Sequence, residues 1–146
     1  MSPLWRRRRM MEQVLIVVGA SIFGLLGTLH LVFTFFSNKF EAFDQSVSQA
    51  MRNTSPVLTK ETTIWKAWIG FNASHSLGAI LFAAIYIPLA VWHSDLLQQS
   101  LWFSVLPVAV GIAYLILAGK YWFKVPFTGI LVSTICFTAA AILIHT

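Results

Sequence analysis

Four long apolar stretches dominate this sequence, and they limit what the chain can fold into. A helix needs about 20 mostly apolar residues to cross a bilayer, because the hydrocarbon core offers no hydrogen-bond partner to a bare backbone. The stretches that reach this length lie at about 14–36, 64–92, 101–117 and 126–144. The sequence therefore predicts an all-α protein with four transmembrane helices.

The composition supports lipid as the solvent of this chain. Charged residues make up 10% of the sequence and apolar residues 58%, whereas a soluble domain carries roughly 25% charged residues. Aromatic side chains also cluster where the stretches end, as expected at the level of the lipid headgroups. These aromatic residues are Trp65, Trp68, Trp92, Trp102, Tyr121 and Trp122.

The connections between the stretches predict the topology. The second and third connections, 93–100 and 118–125, are short, so consecutive spans are antiparallel neighbours in an up-down four-helix bundle of one domain, residues 1–146. The first connection is longer, and apolar side chains recur along it at helical spacing after the possible capping box of Asn38 and Glu41. It predicts an amphipathic helix over about 39–52, which either lies in the membrane interface or covers the mouth of the bundle.

The charge distribution leaves the orientation open. The net charge is +5, and Arg6 to Arg9 directly precede the first span, where selection of topology or contact with anionic lipid headgroups explains them better than nucleic-acid binding. An intracellular arginine run would place five other cations on the opposite side, and the preference reverses if translation starts at Met10 or Met11. Those five cations are Lys39, Arg52, Lys60, Lys120 and Lys124.

A few polar side chains interrupt the apolar spans. His30 lies on the first span, six residues from its end, which puts it about 9 Å deep at a rise of about 1.5 Å per residue. Asn72, His75 and Ser76 lie at similar depth or deeper on the second span, and Tyr114 lies on the third. We expect these side chains to meet in one half of the membrane. They either fix helix register through hydrogen bonds or line a site for a small lipophilic ligand.

The ligand-binding hypothesis includes cofactors. Two histidines on neighbouring helices can ligate one haem iron, although the offset of about one turn between His30 and His75 makes that arrangement awkward, and a quinone is a further candidate. Such a site would belong to a redox or lipid-modifying protein. No metal site is expected, because zinc requires three or four suitable donors. The spans contain no acidic residue, so a binding or accessory role is favoured over enzymatic activity or carboxylate-coupled transport.

Small residues predict two surfaces where helices approach closely. Ala20, Gly24 and Gly27 form one on the first span, and Gly70, Ser74 and Gly78, spaced four residues apart, form another on the second. We call the second group the Gly70–Ser74–Gly78 seam. Each surface packs either against a helix of the same chain or against a second copy or another membrane subunit.

The segment Thr59–Gly78 reads TKETTIWKAWIGFNASHSLG, and Gly27–His30 reads GTLH. With its GFNxSHSxG pattern, this segment resembles a motif in a family of small bacterial four-span membrane proteins that has no established activity. The resemblance extends over the chain from Met11 onward. It implies a location in the bacterial inner membrane and no particular reaction.

Overall fold

The computed structural model describes residues 3–146, and all regular structure in that range is helical. The helices are α1 (Pro3–Phe36), α2 (Gln45–Asn53), α3 (Ile64–Trp92), α4 (Ser94–Gln99), α5 (Leu101–Tyr121) and α6 (Lys124–His145). Four of them, α1, α3, α5 and α6, are long and apolar enough to cross a membrane. The predicted all-α fold with four spanning helices is therefore confirmed.

The first helix begins at Pro3, well before the predicted start near Val14. The intervening arginine run contains no helix breaker, and arginine is a good helix former. Arg8 also lies one turn before Glu12, with 3.5 Å between Nε and Oε1, a spacing that supports a helix. The arginine run is thus part of α1.

The first connection contains a shorter helix than the sequence predicts. Helix α2 begins at Gln45 because the Asp44 carboxylate accepts a hydrogen bond from the backbone N–H of Ser46 at 2.8 Å. Hydrogen bonds from the Ser46 side chain and backbone keep the pKa of Asp44 below its usual value, so the cap stays charged down to acidic pH. Asn38 and Glu41 instead form a turn, in which Glu41 N–H donates to the Asn38 carbonyl at 3.1 Å. The second connection contains α4, which hydropathy alone does not reveal.

The chain divides into two compact units. The first unit comprises the chain up to Leu26 together with Ile80–Thr146, and the second comprises Gly27–Ala79. Both boundaries fall inside helices, α1 and α3. The assignment of residues 1–146 to one domain stays a prediction.

An aromatic cluster forms the core of the first unit. The ring of Phe23, which is 1% exposed, lies 5.1 Å from Phe82, 5.3 Å from Tyr114 and 5.9 Å from Phe137 between ring centroids. These rings come from α1, α3, α5 and α6, so all four long helices contribute to one core. Helices α5 and α6 pack along each other, and α4 contacts both.

Small residues permit this packing. Ala20 is fully buried, and a Cβ added at Gly24 would lie 2.9 Å from the Cβ of Ala83 on α3. A Cβ added at Gly19 would lie 2.6 Å from Cε1 of Phe137 on α6, closer than real Cβ atoms approach. Helix α1 therefore contacts its neighbours through positions where a side chain does not fit.

We expect Gly19→Ala to lower the free energy of unfolding by about 1–3 kcal/mol, the typical cost of overpacking a core. The Phe137 ring is 1% exposed and has little room to move away. Gly70→Ala is the matched control, because an added Cβ at Gly70 has no atom within 4 Å; it should be neutral or slightly stabilising. Tryptophan fluorescence during unfolding in detergent measures both. Equal stability of the two variants would contradict the close contact between α1 and α6.

Candidate functional site

Within the second unit, one hydrogen bond joins the first and second spanning helices. His30 Nε2 on α1 lies 3.0 Å from Oδ1 of Asn72 on α3. Asn72 is 4% exposed, whereas His30 is half-buried. The two polar side chains placed at similar depth by the sequence thus contact each other directly.

The surrounding hydrogen bonds determine which ring nitrogen of His30 carries the proton. Asn72 Nδ2 donates to the Trp68 carbonyl at 2.8 Å, which orients the amide so that Oδ1 faces His30. Oδ1 can only accept a hydrogen bond, so the bonding pattern assigns a hydrogen to Nε2 of His30. In the neutral imidazole Nδ1 is then an acceptor.

A second imidazole lies beside the first. The rings of His30 and His75 meet edge to face, with their centroids 5.4 Å apart. Phe40 lies against His30 at 4.6 Å, and Phe71 is stacked parallel to His75 at 6.4 Å. The Trp68 Nε1–H donates to the Phe40 carbonyl at 3.1 Å and so ties the turn before α2 to α3. We call His30 and His75 the imidazole pair; both rings are half-buried between aromatic side chains.

The other predicted site residues take different positions. Ser76 is completely buried, and its hydroxyl donates to the Asn72 carbonyl at 2.9 Å. Tyr114 belongs to the first unit, where its ring contacts Phe23 at 5.3 Å and Trp122 at 6.1 Å. The second unit therefore brings together His30, Asn72 and His75, with Ser76 behind them.

The geometry of the imidazole pair does not suit a haem held between its two rings. A macrocycle would have to separate rings that are in edge-to-face contact. Ligation through His30 Nε2 would also replace its hydrogen bond to Asn72. Among residues 3–146, no three His, Cys, Asp or Glu side chains are grouped closely enough to hold a metal ion.

The two predicted surfaces of small residues have different environments. Ala20 and Gly27 are buried and Gly24 contacts Ala83, whereas Gly70, Ser74 and Gly78 are exposed on α3. The Ser74 hydroxyl donates to its own helix, at the Phe71 carbonyl, at 2.9 Å. A packing role for the Gly70–Ser74–Gly78 seam stays a prediction that requires a helix from outside the chain.

Sequence reasoning missed a polar cluster in the first unit. Glu12 is only 6% exposed, and Gln98 Nε2 donates to its carboxylate at 3.0 Å. Arg8 lies beside it, and Arg9 pairs with Ser94 and Asp95 near the start of α4. The Arg8–Glu12 spacing is visible in the sequence, but the burial of Glu12 depends on contacts made by the other helices.

Comparison of the chain with protein-family models, curated proteins and solved structures finds no match. The proposals below therefore rest on the geometry of this chain.

A double-mutant cycle measures the bond between His30 and Asn72. We expect His30→Ala and Asn72→Ala to be coupled by about 0.6–1.7 kcal/mol in unfolding free energy, the range of hydrogen bonds between membrane helices. Pairing His30→Ala with Ser74→Ala is the control, because Ser74 is exposed and bonds only within α3 in the described contacts. That pair should be additive within about 0.5 kcal/mol. Equal coupling in both cycles would show that the His30–Asn72 contact has no special role.

Proposed function

We propose that this multi-pass membrane protein is a non-enzymatic binding module for a small lipophilic ligand, which the imidazole pair contacts through a hydrogen-bonding group. The observation that carries the proposal is the pair itself: two half-buried imidazoles, 5.4 Å apart, between the aromatic rings of Phe40 and Phe71. Ionisable side chains inside membrane spans are costly and tend to serve a function.

The proposal divides the work between the two histidines. The bond between His30 and Asn72 suffices to join α1 and α3 in the second unit. His75 is not part of that bond, yet its ring lies against both His30 and Phe71. His30 and Asn72 therefore hold the site together, and His75 presents a polar edge to the ligand.

Imidazole and aromatic groups indicate the chemistry of the ligand. A neutral imidazole offers one donor and one acceptor, so the pair suits a hydroxyl or carbonyl group. The neighbouring phenyl rings favour a flat or apolar body beside that group. A quinone meets this description, and it is the form of the redox alternative that the geometry accommodates better than a haem.

A second candidate function is an accessory subunit that docks another transmembrane helix. The specific observation in its favour is the exposed Gly70–Ser74–Gly78 seam, with open space around Gly70. Replacing Gly70 and Gly78 by leucine would block close approach of a helix and reduce any assembly seen by native mass spectrometry. The resemblance of residues 59–78 supports the bacterial inner membrane as the setting for either function.

The test of ligand binding is His75→Leu, with His93→Leu as the matched control because His93 is exposed in the first unit. Protein purified in mild detergent is extracted with organic solvent, and co-purifying molecules are quantified by mass spectrometry. We expect one species near one copy per chain in wild type and His93→Leu, reduced about tenfold in His75→Leu through loss of a hydrogen bond. The His75→Leu thermal midpoint after delipidation should match that of the wild type.

Absorbance spectra from 350 to 600 nm, before and after dithionite, test the redox alternative on the same samples. A Soret band that shifts on reduction and disappears in His75→Leu would replace the proposal with a haem protein. Equal retention of every species by both variants, or a large loss of stability in delipidated His75→Leu, would contradict ligand binding and leave His75 as a packing residue.

A further inference from the structure

A small cavity lies in the first unit where α1 begins and α6 ends. Its volume is about 170 Å³, and its lining includes Trp5, Arg8, Arg9, Glu12, Gln98 and the end of the chain at Leu143–Thr146. Sites for drug-sized ligands measure roughly 300–1,000 Å³. The cavity is therefore the size of a polar headgroup and too small for a whole lipid.

Hydrogen bonds hold the two arginines of this cavity in place. Arg8 donates through Nε to the Leu143 carbonyl at 2.9 Å and through Nη2 to Thr146 Oγ1 at 2.8 Å. Arg9 donates through Nε and Nη2 to Ser94 Oγ, at 3.2 and 2.9 Å, and also pairs with Asp95. Within residues 3–146, none of these bonds uses the Nη1 group of either arginine. Each guanidinium thus keeps one donor edge for a ligand.

The charges around the cavity favour an anion. Glu12 is buried, and its charge is compensated by Arg8 and by a hydrogen bond from Gln98. Arg6 and Arg7 are exposed one turn before on α1. Side-chain charges here are four arginines against the carboxylates of Glu12 and Asp95, a positive balance. Guanidinium groups are well matched to phosphate oxygens.

The position of the cavity indicates a ligand at the membrane surface. Two of the spanning helices end here, since α1 begins at Pro3 and α6 ends at His145. Trp5 is 39% exposed, as is typical of tryptophan at the headgroup level. Leu143 and Ile144 add an apolar wall to the charged lining. A soluble anion would gain nothing from that wall, whereas the ester region of a phospholipid would.

We propose that this cavity binds the phosphate group of an anionic phospholipid, with Arg8 and Arg9 as the anion ligands and Trp5 against the headgroup. Basic pockets beside the ends of membrane helices recognise lipid headgroups in this way. The site is separate from the imidazole pair and does not depend on its function.

Native mass spectrometry of the full chain in detergent tests the proposal, with phosphatidylglycerol and phosphatidylcholine as the added lipids. We expect the first phosphatidylglycerol to bind more tightly than phosphatidylcholine, and Arg8→Gln with Arg9→Gln to weaken it about ten- to hundredfold, the effect of losing charge-assisted hydrogen bonds. Arg6→Gln with Arg7→Gln is the matched control. It removes the same charge from exposed positions and should leave the first phosphatidylglycerol bound.

Additional variants and probes keep the test decisive. Arg8→Lys retains the charge beside Glu12 but loses the planar fork of donors, so it should stay folded and still lose the preference for phosphatidylglycerol. Equal weakening by the two arginine pairs would show general electrostatic attraction and overturn the site. Inorganic phosphate that raises the thermal midpoint as much as the lipid, and displaces it, would overturn the lipid as its source.

Discussion

In a bilayer core, every buried polar group has to find its hydrogen-bond partner within the protein, because hydrocarbon supplies none. Hydroxyl groups on the spans meet this requirement locally. Thr34, Ser76 and Thr138, among others, donate to the carbonyl of the residue one turn earlier. Such side chains are satisfied by their own helix and need no partner on another helix. Within the described residues, the buried hydroxyl of Tyr86 is the exception, since it has no hydrogen-bond partner.

Side chains that cannot bond to their own helix in full are the ones that join elements. Asn72 has more donors and acceptors than its own helix can use, so it bonds to Trp68 within α3 and to His30 on α1. Arg8 has five donors, and it bonds to the end of α6. Each compact unit thus has its own polar cluster among apolar side chains. One is a neutral imidazole–amide pair, and the other is an arginine–carboxylate group, which explains why we assign different ligands to them.

Hydropathy predicted the four spans because length and apolarity are properties of each segment alone. The spacing of His30 and Asn72 from their helix ends likewise predicted their similar depth. The start of α1 and the presence of α4 were missed, because Arg8 and Arg9 are fixed by contacts with distant residues, Leu143 and Ser94. Asn38 and Asp44 are equally good capping residues by type, and only the fold shows that the helix follows Asp44. The burial of Glu12 is likewise a tertiary property, since Gln98 covers it from a different part of the chain.

The structural and ligand-binding interpretations of the polar pair are compatible once its members are considered separately. A ligand that gains a hydrogen bond from His75 needs that ring held in one orientation, since ordering a mobile side chain costs free energy on binding. Asn72 fixes the amide through Trp68 and thereby fixes His30, and His30 then lies edge to face against His75. Loss of Asn72 would therefore weaken a ligand contact that Asn72 never makes. The same residue can be structural in its own contacts and still determine how well a neighbouring side chain binds.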